Sequence, residues 1–533
     1  MQPPCIIRSF RWVLVFALLF TLNLSANESD PQWPAYLDQI KKELSLGGTA
    51  VFDGSDLSAF RFITENGQAD SSFVPVTGQP FSRALRVKVF GTTQQIYAVQ
   101  LLSPQTTVSL KKGDHLLFIL NARCLESPPG GMGRFNAILQ ASQDPWTGIA
   151  SESVAISQEW KRIYVEGEVM TDCPAGSYEM TLHLGTQKQT LDLGGFALLN
   201  LGQNIDESRL PYNAITYEGD APDAPWRKAA QERIDQLRKA NLTVIVQDKN
   251  GKPVPAAEVH IQMQRHAYGF GTFLEYDIAD KTSASDKHRA WILKLFNRAT
   301  TPLYWNDWGW ANPKRRELFM KTAQWAQDHH LSTRGHVIVY PAFKFMPSST
   351  LTLKNDPQRL RQVVLDHVKE VVLATKQFSF KEYDVTNELR NCKDLLAIIG
   401  KDAVPKWFQV AREYASPSTH MAINENNILG EAGNTQGQQE NYEGWIQYLI
   451  DHGQAPDVIG MQGHFSTAVT PPETLLAILD RFAKFGKPIQ ITEFDINTRD
   501  EEGQARYLRD FLTAIFSHPS TEAFTVWGFW EKT

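Results

Sequence analysis

Two glutamates stand where short apolar runs turn polar. In "EYDVTNELRN", residues 382–391, the run ends at Asn387–Glu388, and in "PIQITEFDI", residues 488–496, it ends at Glu493. Two carboxyl groups converging on one bond can cleave a glycoside: one donates a proton to the leaving oxygen, while the other attacks the anomeric carbon or activates water. That division of labour asks for two environments, one raising the acid's pKa and one keeping the nucleophile ionised through hydrogen bonds. A lone strand-end glutamate is more often a structural ion-pair partner, so the chemistry stands only if both side chains reach one cleft.

The elements around them are those of a barrel. From about residue 266, short apolar strands near 267–272, 297–301, 333–339, 382–387, 420–424, 457–462, 488–493 and 523–528 alternate with helical patterns such as "PQRLRQVVLDHVKEVVLATK" and "EGQARYLRDFLTAIF". Eight βα units imply an α/β fold, a parallel (β/α)8 TIM barrel over residues 266–533, whose chemistry sits at the C-terminal ends of the strands. Glu388 directly follows the fourth strand and Glu493 closes the seventh. They are 105 residues apart, three βα units, and so face each other across the barrel mouth.

The first half is built differently. Residues 30–210 hold strand-like runs, among them "DHLLFILNARC", "RFNAILQAS" and "WKRIYVEGEVM", with turns about every ten residues, the pattern of an all-β jelly roll or sandwich. Trp146, Trp160 and Tyr164 could stack on sugar rings there, although such aromatics are more often core or rim. Residues 211–265 read as a connector: the charged helix "RKAAQERIDQLRKA", read as a solvated face, then β-strands about a turn at Asn250–Gly251.

Composition narrows the partners. A net charge of -6 gives no basic face for nucleic acid, and 42% hydrophobic with 21% charged residues argues for a folded chain. Arg8 and Arg11 lead into "WVLVFALLFTLNL" and the small residues Ser25 and Ala26, a signal peptide over 1–26 that predicts a secreted, periplasmic or cell-surface protein without stable membrane association. Cys124, Cys173 and Cys392 remain after such a cleavage. Export leaves a Cys124–Cys173 bond open, but three cysteines do not make a disulfide framework. No CxxC pair or HExxH helix occurs, so no metal or cofactor is expected, and the chain is expected to act as a monomer.

The motifs carry a resemblance. "YDVTNEL" resembles the acid/base motif and "ITEFDI" the nucleophile motif of glycoside hydrolase family 10, the retaining endo-β-1,4-xylanases, while "RGHVIVY", "VIGMQGHF" and "VWGFW" match further landmarks in order. The resemblance covers roughly 266–530. It implies Glu388 as general acid/base and Glu493 as nucleophile. It implies Asn387 on the sugar 2-hydroxyl, His464 holding the nucleophile with Asp495 behind it, Gln462 and His336 lining the subsite, and Trp527 as an apolar floor. The first half resembles, more loosely, the jelly-roll carbohydrate-binding modules attached to polysaccharide hydrolases.

One segment departs from the family. Where it usually has a Glu–Asn pair and a Lys gripping xylose, "FNRATTPLYWNDWGW" has Pro302, Leu303 and Asn306, and the usual Trp–His after the third strand is Tyr340–Pro341. Trp305, Trp308, Trp310 and Tyr340 are the candidate replacements, with Trp305 and Tyr340 expected to bind substrate. The sequence also stops at Thr533, just after the eighth strand, where a closing helix would be expected to cover strands one and eight. The leading expectation is hydrolysis of xylan or a substituted xylan. The alternatives are another β-linked glucan or glycoside, and a carbohydrate-binding protein without turnover, against which the retention of both glutamates argues.

Overall fold

The computed structural model describes residues 29–530 apart from Gln94, 128–131, 431, 432 and 434. The proposed signal peptide lies outside the described residues. The chain divides into two compact units, Met1–Asn213 and Ala214–Thr533.

The first unit is a sandwich of two antiparallel sheets. One has the strand order 69–75, 83–89, 189–200, 115–126, 161–168, with 49–50 added beside 189–200; the other runs 61–64, 99–102, 178–183, 133–141, 148–156. Phe118, Phe135, Phe196 and Leu198 are among the side chains filling the core. The outer face of the first sheet carries the helix Trp33–Leu44, whose Trp33 indole N–H donates to the Phe196 carbonyl (2.7 Å) and whose Tyr36 hydroxyl donates to the Gly195 carbonyl (2.8 Å). The sequence marks this spot with "LGGF": Gly195 has φ +58 at a bulge, and a Cβ there would meet Asn121 Nδ2 at 2.7 Å. All three described cysteines are free, so Cys124 and Cys173 do not pair. Trp160 and Tyr164 pack beside the Trp33 cluster, Trp160 edge-on to Phe81 at 5.2 Å. Trp146 is 54% exposed.

The second unit is a closed barrel of eight parallel strands: β1 (Gly269–Phe273), β2 (Arg298–Pro302), β3 (Ser332–His336), β4 (Glu382–Asn387), β5 (His420–Glu425), β6 (Val458–Phe465), β7 (Ile489–Ile496) and β8 (Thr521–Val526). The helices turn one apolar stripe inward. In Pro357–Thr375 the stripe is Leu360, Val364, Val368, Val371 and Val372, and the helix starts where the Asp356 carboxylate accepts the Arg359 N–H (3.0 Å) ahead of a first-turn proline.

Two expectations need correction. Residues from Ala214 onward cluster with the barrel unit, and the connector's helix Pro225–Leu237, here α1, packs on Glu501–Ser517, here α2. Its charge is not only a solvated face. Arg227 forks onto Asp510 with both contacts at 2.6 Å, the Tyr217 hydroxyl donates to the same carboxylate (2.7 Å), and Arg238 donates to the carbonyls of Phe516, His518 and Thr521. α1 therefore ends against the start of β8.

The β-strands expected within 241–265 do not form a ladder. A single bridge, Gln247 to Pro253, flanks the Asn250–Gly251 turn, whose Asp248 carboxylate accepts the N–H groups of Asn250 and Lys252. Alternating apolar residues such as Val244, Val259 and Ile261 have no sheet edge to join, and a lone hairpin gains too little buried area to hold.

Asp510 is fully buried. Against the desolvation of burial, its hydrogen bonds to Arg227 and Tyr217 hold its carboxyl below the usual range. Asp510→Ala strands both partners and is expected to cost about 2–3 kcal/mol in chemical unfolding of the full chain, Arg227 being partly solvated. An unchanged unfolding midpoint would mean that α1 is not held by this pair.

Candidate active site

Strand ends set the first constraint. Glu388 is the first residue past β4, half-buried, with φ +53, a left-handed conformation rare outside glycine. Glu493 is buried inside β7 rather than closing it, three residues before Ile496, because an irregular register against both neighbours continues the strand. Gln462 of β6 pairs in register with Glu493, and His464 pairs with Asp495.

A continuous set of hydrogen bonds joins the two glutamates. Gln462 Nε2 donates to Glu388 Oε1 and to Asn387 Oδ1, both at 3.1 Å. Asn424 Nδ2 donates to the same Asn387 oxygen (2.9 Å) and to Glu493 Oε1 (2.8 Å), and its own oxygen accepts from the Thr492 hydroxyl (2.7 Å). With its oxygen doubly occupied, Asn387 keeps its amide N–H2 for Glu388, at 3.3 Å, or for a ligand in its place. The donors on this path are neutral amides and a hydroxyl, suited to a partner made of hydroxyl groups.

The other oxygen of Glu493 faces His464. Its Nε2 lies 3.1 Å from Glu493 Oε2 and its Nδ1 lies 2.7 Å from Asp495 Oδ2. Burial opposes the charged imidazole, yet the two carboxylates outweigh it and push the pKa up to about 10. His464 is thus an imidazolium at neutral pH, set against one side of the Glu493 carboxyl group. On the other side His336 Nε2 stands 3.8 Å from Glu493 Oε1, its Nδ1 fixed 2.7 Å from Asp384 Oδ2. Trp527 closes the wall, edge-on to the His336 ring at 5.3 Å and 4.4 Å from Phe273.

The structure brings His336, Asn387, Glu388, Gln462, His464, Glu493, Asp495 and Trp527 together as the sequence suggests. Trp305 is a correction. It is buried, and its ring stacks flat on His367 at 3.9 Å with an angle of 7°, so that imidazole occupies one face of the indole. Trp310 is buried too, its indole N–H on Glu370 at 3.3 Å. Trp308 is 72% exposed and is the aromatic of this segment with a free surface. Tyr340 lies in the site in another role: its ring stacks on Phe345 at 3.7 Å and its hydroxyl bonds Glu388, while burial and that carboxylate push its phenol far above the ordinary range.

Two participants escaped the sequence reading. Asn424 bridges the halves of the site, and its signal was the polar ending of "AINENN" on strand five. Glu425 closes β5 and accepts the backbone N–H of Arg390 (3.3 Å) and of Asn426 (3.1 Å), tying down the turn that follows Glu388. Burial pushes its carboxyl up to about 8, so it carries its proton at neutral pH. Among the described residues no group of three or more His, Cys, Asp and Glu could hold a metal ion.

The His464 shift has a sign. A folded pKa of about 10 against 6.5 contributes stability fully present below pH 6.5 and lost as pH rises through about 10. The imidazole signals of His464 in a proton NMR titration are expected to move near pH 10, and Asp495→Asn should lower that midpoint. A midpoint near 6.5 in the unaltered chain would contradict the charged-histidine geometry.

Known proteins share this barrel. The model of "Glycosyl hydrolase family 10" matches residues 278–533. The anti-sigma-I factor RsgI6 of Acetivibrio thermocellus is 30% identical over 328 residues, which cover 60% of this chain and 41% of that protein. Endo-1,4-beta-xylanase 1 of Arabidopsis thaliana is 26% identical over 314 residues, 57% of this chain and 31% of that protein. The chain thus spans less than half the length of either relative. Xylanase 10B from Thermotoga petrophila, solved with xylobiose, is 24% identical at a TM-score of 0.44 and covers 50% of this chain and 84% of that one. With its strands, its two glutamates and its ordered motifs in place, the barrel of this chain is a glycosyl hydrolase family 10 domain.

Proposed function

We propose that the chain is an exported retaining β-glycanase that hydrolyses β-1,4-xylan or a substituted xylan as a monomer. The observation that carries this reading is the hydrogen-bonded path from Glu388 through Gln462, Asn387 and Asn424 to Glu493, which joins two carboxyl groups through neutral amides suited to hydroxyl groups. The curated Arabidopsis relatives named as endo-1,4-beta-xylanases supply the substrate class. Export rests on the apolar run after Arg8 and Arg11.

In this reading Glu388 gives its proton to the glycosidic oxygen as a Glu493 oxygen attacks the anomeric carbon. The bond to the leaving sugar breaks, and that sugar departs as an alcohol. Glu388, now a carboxylate, takes a proton from water; the water oxygen attacks the anomeric carbon and frees Glu493, so two inversions give net retention. The Asn387 amide N–H2 donates to the sugar 2-hydroxyl, a bond that strengthens in the transition state. Trp527 supports the apolar face of the ring. Export of an all-β module with Trp146 on its surface fits a carbohydrate-binding role for the first unit.

Xylan, arabinoxylan, glucuronoxylan and mixed-linkage β-glucan incubated with the chain should yield short xylo-oligosaccharides from the xylans. Glu493→Gln should lower kcat by about three orders of magnitude or more, the scale of losing a covalent nucleophile. Products from glucan alone would overturn the substrate, and no product from any polymer would overturn the enzyme reading. Glu388→Ala should cripple xylan cleavage far more than cleavage of an aryl xyloside whose leaving group needs no proton. Equal losses on both would remove Glu388 from the acid role.

A further inference from the structure

A recess of about 730 Å³ opens beside Glu388, and three lysines, Lys344, Lys393 and Lys401, line it. Cys392 is its link to the site: it lines the recess while its Sγ lies 4.0 Å from Glu388 Oε2. A second link runs through aromatic rings, because the Lys344 ammonium sits 4.7 Å from the Phe345 ring and Phe345 stacks on Tyr340, which bonds Glu388.

The recess carries excess positive charge. Its one carboxylate, Asp394, already accepts the backbone N–H groups of Phe343 (3.2 Å) and Leu395 (3.1 Å). Lys401 rests on Trp445 at 4.6 Å and on Tyr448 at 3.9 Å. Such ring contacts orient an ammonium without cancelling its charge. Leu396 adds an apolar patch to the lining. One ammonium group can donate to the hydroxyls of a neutral sugar, but three around one recess leave charge to match, and a sugar ring bearing a carboxylate matches both that charge and the apolar surface.

We propose that this recess is a binding site for a hexuronate branch carried by the glycan under cleavage, its carboxylate meeting Lys344 and Lys393 while its ring rests on the apolar lining. The proposal rests on the glycanase reading above and gives it a preference: acidic, substituted xylans over unsubstituted ones.

The test compares an oligosaccharide bearing a 4-O-methylglucuronate branch with the same molecule after carboxyl reduction, on the unaltered chain and on Lys344→Ala/Lys393→Ala. The double substitution should lower kcat/KM on the acidic substrate by about fivefold or more and leave the reduced one within about twofold, the scale of two partly solvated ion pairs. Equal effects on both substrates, or none on either, would overturn the proposal. Calorimetric binding of the same pair to Glu493→Gln reads the recess without turnover. There the acidic oligosaccharide should bind more tightly at low salt, lose that advantage at high salt and lose it again when the lysines are removed. Equal binding would overturn the recess even if turnover is seen, whereas a preference for the acidic ligand without turnover in the unaltered chain would overturn the glycanase reading alone. Free glucuronate at millimolar concentration should compete only weakly; full competition would show a site for small anions and overturn the branch.

Discussion

The Asp384 carboxylate lies wholly inside the barrel and stays ionised because Arg334 and His336 meet it there. Burial works against it, and the Arg334 charge and the His336 hydrogen bond overcome that cost and hold its carboxyl below the usual range. Arg334 is itself fully buried and also reaches Glu382, which pairs with Arg298; Arg298 in turn donates to Gln490 of β7 at 2.7 Å. Taking one member from such a network leaves a buried charge alone, a loss of about 3–5 kcal/mol. The column runs up the interior beneath the mouth, and its top member is His336. The ring that faces Glu493 is therefore aimed by charges the substrate never touches.

Above that column, polarity is graded. His464 carries a positive charge beside Glu493, Asn424 supplies a neutral amide to the other oxygen of the same carboxylate, and Glu388 meets amide, phenol and thiol groups. One carboxyl thus sits in a cationic setting and the other in a neutral one. The proposed mechanism assigns the nucleophile to the first setting and the acid to the second. The left-handed φ of Glu388, with the buried Glu425 holding the turn behind it, fixes where its carboxyl group stands.

Much of this was legible because a parallel barrel sends its strand ends to one face. Glu388, Asn387 and His464 were placed by that rule together with motif order, and neither requires side-chain detail. The interior column was harder to read: Glu382, Asp384 and Thr386 alternate along β4, but the alternation looks like a polar strand until Arg334 on the adjacent β3 and Arg298 on β2, one strand further, are seen to reach Asp384 and Glu382. Trp305 and Trp308 are three residues apart in one loop, one buried and one bare, and nothing in their types tells which ring finds a partner such as His367. The charges of α1 likewise do not disclose which body they bind. Asp510 is 283 residues from Arg227, and only tertiary structure brings them together.

The central claim is that Glu493 is a nucleophile aimed by His464 and His336 and served by an acid at Glu388. Its most direct test is to trap the covalent state with a 2-deoxy-2-fluoro xylobioside carrying a good leaving group and to map the modified peptide by mass spectrometry. The account predicts one added fluoroxylobiosyl group on the peptide containing Glu493, with turnover falling in step. Labelling of Glu388, or turnover of the probe with inverted configuration and no adduct, would contradict it.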